Sequence, residues 1–66
     1  MKITVNGKVF SVEPDITLDK FLQDRGADPA KTVAAVNGRI VNGEDCPRTI
    51  LKDNDALDLM SFVGGG

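Results

Sequence analysis

Lys2-Ile3-Thr4-Val5-Asn6-Gly7-Lys8-Val9-Phe10-Ser11-Val12 is the stretch that decides the fold of this 66-residue chain. On either side of Asn6-Gly7 apolar and polar residues alternate with period two. Asn-Gly is the dipeptide that best supplies the two positive φ angles of a two-residue turn, so the stretch reads as a β-hairpin. Glu13-Pro14-Asp15 then breaks the second strand. Thr17 is placed to cap a helix whose apolar residues Leu18, Phe21 and Leu22 follow i, i+3, i+4 spacing, and Gly26 stops it. A single apolar stripe puts those three residues against a sheet and Asp19, Lys20, Gln23 and Asp24 in water. Ile16 staples the start of the helix.

Working outward past Ala27-Asp28-Pro29, Thr32-Val33-Ala34-Ala35-Val36 is an apolar run ending in a second Asn-Gly, Asn37-Gly38, followed by Arg39-Ile40-Val41 and a turn at Asn42-Gly43. These are two further strands, the first more buried than the second. Glu44 to Lys52 reads as irregular, with Pro47 excluding a helix interior and Ile50 and Leu51 closing the core. Asp53-Asn54-Asp55 is a turn and lacks the later Gly and Glu of a calcium loop. The last strand, Ala56 to Phe62, places Leu57 and Leu59 on one face and Asp58, Met60 and Phe62 on the other. The order is ββαββ plus a terminal strand. That is an α+β domain of β-grasp layout, a mixed sheet of about five strands with one helix packed on one face. Residues 1–62 form the domain and 63–66 a flexible C-terminal glycine tail. A terminal strand beside the first would be parallel to it, across a long connection supplied by the helix and second hairpin.

Composition narrows the function. The chain has no His and one Cys, so it cannot assemble a Cys/His zinc site, a Ser-His-Asp triad or an internal disulfide. Eight basic residues stand against ten acidic, and Lys and Arg never cluster, which makes nucleic acid a poor partner. The acidic excess lies toward the C-terminus in Glu44, Asp45, Asp53, Asp55 and Asp58, a solvated face or a complement to a basic partner. No signal-peptide pattern and no apolar run of membrane-spanning length occur, so the expectation is a soluble, cytoplasmic protein without a membrane partner. The unpaired Cys46 suits a reducing compartment.

The sequence ends in Gly64-Gly65-Gly66. At an average glycine usage of ~7% such an ending arises by chance with a probability of roughly 3 × 10⁻⁴. It reads either as a frayed end or as a tail to be threaded: without side chains it fits a narrow channel, and it terminates in an ionised carboxylate. Val63 to Gly66 reach about 13 Å at ~3.3 Å per residue, enough to place Gly66 in another protein's active site. A carboxylate is a poor electrophile, and the simplest activation is adenylation with ATP. This chain has no P-loop, so an enzyme partner must hold the nucleotide.

The Asn6-Gly7 hairpin, the Thr17-led helix ending at Gly26, Ala35-Val36-Asn37-Gly38-Arg39-Ile40-Val41, Leu51-Lys52-Asp53-Asn54-Asp55 and the Phe62-Val63-Gly64-Gly65-Gly66 ending together resemble the ThiS sulfur carriers of thiamine biosynthesis, within the ThiS/MoaD ubiquitin-like family. The resemblance spans nearly the whole chain. Asn54 stands where the family often has Gly, a departure that Asn's tolerance of positive φ absorbs. The resemblance implies a non-enzyme carrier that binds no cofactor itself. Gly66 is adenylated by a ThiF-type enzyme using ATP, then converted to a thiocarboxylate by a sulfur donor such as a cysteine desulfurase, and the sulfur passes to the thiazole synthase ThiG. Gly64 and Gly65 are then the threaded linker. Two alternatives stay open: a small subunit of molybdopterin synthase, which uses the same terminal chemistry, and a ubiquitin-like modifier or plain binding module.

Alternation places Met60 and Phe62 beside the tail on the sheet face that a single helix leaves bare. With Val63 they read as a docking patch for the activating enzyme, unless a shifted register or a covering loop buries them. Cys46 precedes Pro47 with Arg48 as its only near basic neighbour, which favours a passive apolar role over a sulfur relay.

Overall fold

The computed structural model describes residues 1–61; the expectations for Phe62, Val63 and Gly64 to Gly66 fall outside it. The elements are β1 (Lys2–Val5), β2 (Lys8–Ser11), α1 (Leu18–Asp24), β3 (Thr32–Val36), β4 (Arg39–Val41), a 3-10 helix (Gly43–Arg48) and β5 (Ala56–Ser61). The strands form one sheet in the order β2-β1-β5-β3-β4, with β5 parallel to β1 and antiparallel to β3. The expected mixed five-stranded sheet is present, and its last strand occupies the centre.

Both hairpins turn as Asn-Gly demands. Asn6 and Gly7 sit at φ 50° and 85°, Asn37 and Gly38 at 52° and 84°, the doubly positive pair of a type I′ turn. Thr17 caps α1 by accepting from Lys20 N–H through Oγ1 at 3.1 Å. At the other end Gly26 takes φ 75°, its N–H donates to Gln23 C=O and Ala27 N–H donates to Leu22 C=O, the paired bonds of a Schellman stop. Asn54 takes φ 70°, as expected of an Asn in that turn.

The core forms where the α1 stripe of Leu18, Phe21 and Leu22 meets Ile3 and Val5 of β1, Ala34 of β3 and Leu57 of β5, with Ile16, Leu51 and Cys46 closing its end. Each fully buried Leu or Ile contributes on the order of 2 kcal/mol by leaving water. Over the β2 side, Phe10 meets Phe21 edge to face, with centroids 6.4 Å apart, and the Arg25 guanidinium lies 4.5 Å from the Phe10 ring centroid. Asp19, expected in water, is half-buried. Its carboxylate accepts from Gln23 Nε2 at 3.0 Å.

Three expectations for residues 42–52 are corrected. Gly43–Arg48 is a 3-10 helix, so of the stretch expected to be irregular only residues 49–52 lie outside a helix. In so short a run Pro47 forfeits a single donor while Asp45 N–H and Thr49 N–H still reach Asn42 and Cys46 carbonyls. Gly43 opens that helix and does not form a turn with Asn42. Ile50 does not close the core and is 54% exposed, whereas Leu51 is buried as expected. The reason is local: residues 16–18 and 49–51 run side by side as a short antiparallel bridge, with Leu51 N–H donating to Ile16 C=O and Leu18 N–H to Thr49 C=O. Period-two alternation then sends Ile16, Leu18 and Leu51 inward and Ile50 out.

Candidate functional site

The central position of β5 decides where the C-terminal residues depart. β5 is fastened at two points by the two turn asparagines, at its first residue, Ala56, and at Leu59. Asn37 Oδ1 accepts from Ala56 N–H at 3.0 Å while its Nδ2 donates to Asp55 Oδ1 at 2.9 Å. Asn6 Oδ1 accepts from Leu59 N–H at 2.8 Å while its Nδ2 donates to Leu59 C=O at 3.3 Å. Asp55 binds a second group, accepting from Lys52 N–H at 2.8 Å, and Asp53 accepts from Lys2 N–H at 2.8 Å. The Asp53-Asn54-Asp55 cluster is thus a turn whose carboxylates satisfy backbone donors.

The sheet face away from α1 carries the expected exposed side chain: Met60 is 67% exposed. Cross-strand register extends the patch beyond what the sequence suggested. Val33 stands opposite Met60, Ala35 opposite Asp58, and Ile40, 71% exposed, opposite Ala35. Directly paired residues point to the same side, so Met60, Val33, Ala35 and Ile40 form one apolar surface around the Asp58 carboxylate. The sequence around Val33 and Ile40 gives no sign of this, because it depends on which strands pair and in what register. Phe62 and Val63, the other expected members, lie outside the described residues, as do Gly64, Gly65 and Gly66.

Cys46 is 2% exposed, and its Sγ lies 3.6 Å from Asn42 C=O. Burial pushes the thiol pKa up, and the carboxylates of Asp19 and Asp45 add to that. A neutral, enclosed thiol is a packing group and a poor nucleophile, which matches the passive role expected. Among the described residues, no three His, Cys, Asp or Glu side chains are grouped to hold a metal ion, and no helix is long and apolar enough to cross a membrane.

Against known proteins, two solved structures superpose along the entire chain. One is the crystal structure of a thiamine biosynthesis protein (ThiS) from Geobacter metallireducens, 30% identical, TM-score 0.83, covering 100% of both chains. The other is the NMR solution structure of a thiamine biosynthesis protein from the same organism, 30% identical, TM-score 0.80, covering 100% of this chain and 88% of that one. Among curated proteins, the chain is 29% identical over 66 residues to a thiazole synthase of Paramagnetospirillum magneticum and 30% identical over 66 residues to one of Magnetococcus marinus. All of this chain matches, but it spans only 20% of the length of either relative. The model of the ThiS family matches residues 3–66, from the first strand through the last glycine. With that match and the five-stranded sheet on one helix, the chain belongs to the ThiS family.

Proposed function

We propose that this domain is the sulfur carrier for thiazole formation in thiamine biosynthesis, a co-substrate of partner enzymes and not itself a catalyst. The observation that carries the reading is the family match running through Gly66, on a chain whose last described strand lies at the centre of the sheet. A carboxylate resists nucleophiles because of its own charge. An oxygen of the Gly66 carboxylate therefore attacks the α-phosphorus of ATP held by a ThiF-type enzyme, and pyrophosphate leaves. The terminal sulfur of a donor's persulfide, such as a cysteine desulfurase carries, then attacks the acyl carbon, AMP departs with the former carboxylate oxygen, and a thiol reductant cleaves the S–S bond of the acyl disulfide to leave the thiocarboxylate. The resulting thiocarboxylate is a soft, strong nucleophile that delivers sulfur to the thiazole synthase ThiG.

Each part of the chain has a role in this scheme. Gly66 is the reacting residue and Gly64 and Gly65 pass through the enzyme's channel. Met60, with Phe62 and Val63, docks on the partners, supported by the apolar surface that Met60 shares with Val33, Ala35 and Ile40. The ThiG partnership draws support from the two thiazole synthases that contain a segment similar to this entire chain. The domain holds no cofactor of its own, ATP belongs to the adenylating partner, and the setting is cytoplasmic.

The test is an intact and C-terminal-fragment mass of the protein recovered from cells co-expressing the adenylating enzyme, beside a Gly66-deleted control. Replacement of one oxygen by sulfur, localised to Gly66 and absent from the control, is expected. Localisation matters because oxidation of Met60 or Cys46 adds nearly the same mass. An unmodified Gly66 beside an active enzyme points to a binding module, and an isopeptide link from Gly66 to a lysine points to a modifier. Rescue of a molybdenum-cofactor auxotroph without rescue of a thiamine auxotroph assigns the chain to molybdopterin synthesis instead.

A further inference from the structure

The Asn6 amide does more than its turn requires. In the parallel ladder between β1 and β5, Thr4 N–H donates to Asp55 C=O and Asn6 N–H donates to Leu57 C=O, both at 2.9 Å. The next rung would need backbone from a continuing β1, but the chain has already turned toward β2 at Asn6-Gly7. The Asn6 side chain supplies that rung, accepting from Leu59 N–H at 2.8 Å and donating to Leu59 C=O at 3.3 Å. A primary amide offers the same donor and acceptor as a peptide unit, so it substitutes for one missing link of strand. The other side of Leu59 offers no replacement. Asn37 N–H donates to Ala56 C=O, which sets the parity of the β3–β5 ladder and leaves Leu59 opposite Ala34 at a non-hydrogen-bonded position.

We propose that Asn6 is a positioning residue for the chemistry at Gly66: β3 pairs with one edge of β5 through Ser61, and the Asn6 amide holds the other edge at Leu59, past the end of β1, so that the two together fix where the chain leaves the sheet after Ser61. The clamp stands on the geometry alone; its functional consequence rests on the carrier reading above. Gly66 lies seven residue steps beyond Leu59, a reach of at most roughly 23 Å. Where β5 leaves the sheet sets the point from which the remaining residues must reach the enzyme's active site, and a displaced starting point lowers the fraction of bound complexes that bring the carboxylate into reacting geometry. Asn37 provides an internal control, since it clamps the opposite end of the same strand at Ala56.

Asn6→Gly separates clamp from turn, because glycine keeps the positive φ while removing the amide. Asn37→Gly does the same at the other end, and Asn6→Asp retains an acceptor for Leu59 N–H without the donor. Two readouts are taken on the full chain: amide hydrogen exchange, and ATP–pyrophosphate exchange catalysed by a ThiF-type enzyme. Asn6→Gly is expected to speed exchange at the Leu59 amide about tenfold. It is expected to lower kcat roughly three- to tenfold with KM within about twofold, since the docking surface is untouched. Asn6→Asp falls between it and the parent, and Asn37→Gly leaves kcat within about twofold. Equal loss of kcat in Asn6→Gly and Asn37→Gly reflects general destabilisation and overturns the proposal, as does normal kcat in Asn6→Gly despite faster Leu59 exchange. If the parent chain supports no pyrophosphate exchange, the carrier reading falls. The clamp is then judged by amide exchange alone, where an unchanged Leu59 in Asn6→Gly overturns it.

Discussion

The two hairpins are near copies in sequence and serve the molecule differently. Each turns on Asn-Gly with almost the same φ angles, each inner strand flanks β5, and each turn asparagine ties β5 through its amide. Yet β1 runs parallel to β5 and delivers Ile3 and Val5 to the core, whereas β3 runs antiparallel and delivers only Ala34 among the fully buried residues. The outer strands differ as well. Phe10 of β2 packs on Phe21 under Arg25, while Ile40 of β4 faces solvent with Met60 and Val33. One hairpin is an anchor for the helix; the other presents a surface. Identical turn chemistry therefore says nothing about which role a hairpin takes, because that depends on where the helix lands.

The largest expected contrast is between Ile3→Ala and Ile40→Ala. The first deletes a fully buried side chain and should lower unfolding free energy by about 2–5 kcal/mol. A chain of this length is stabilised by only about 3–10 kcal/mol. The second removes an exposed side chain and should stay within about 0.5 kcal/mol. Urea midpoints of the two variants check both, and comparable losses would abolish the anchor-versus-surface distinction.

Next come Gly7→Ala and Gly38→Ala. At neither position would a Cβ meet anything within 4 Å, so the cost is backbone strain alone at φ near 85°. Each should lose about 1–2 kcal/mol by urea unfolding, and the two should agree closely. A gap of more than about 1 kcal/mol would mean that one turn carries tension the other does not. Smaller again is Arg25→Ala, which removes the guanidinium from the Phe10 ring and should cost about 0.5–1 kcal/mol. Amide exchange should quicken along β2 and not along β4.

The smallest effect concerns Cys46, behind neither hairpin. Its thiol pKa is raised in the folded chain, first by burial and then by Asp19 and Asp45. The unfolded thiol loses its proton first as pH rises, so this contribution to stability is complete below about pH 8.5 and declines above it. Cys46→Ala should remove that alkaline decline, seen as a flatter dependence of the urea midpoint between about pH 8 and 10. Slow alkylation of native Cys46 relative to the unfolded chain is the companion observation.

Legibility in the sequence followed the range of the interaction. The Asn-Gly turns, the Thr17 cap, the Gly26 stop and the stripe of Leu18, Phe21 and Leu22 were all readable because each depends on neighbours within four residues. Residues 42–52 were misread in part: Pro47 argues against an α-helix but says little about a 3-10 turn, and the outward Ile50 depends on pairing with residues more than thirty positions earlier. At the candidate site, Met60 was found through its alternation with Leu59. Val33, Ala35 and Ile40 joined it only through register.

By itself the sequence determined the local elements and the single helix with its buried stripe. It did so because dihedral preferences, capping and period-two or period-3.6 burial are properties of short segments. The tertiary structure alone decided that β5 lies between β1 and β3, that two turn asparagines grip it at Ala56 and Leu59, and that Met60 shares a surface with the second hairpin. Those features arise from hydrogen bonds and packing between residues as far apart as Asn6 and Leu59, and a side-chain amide carries no sequence signal for the distant backbone it will bind.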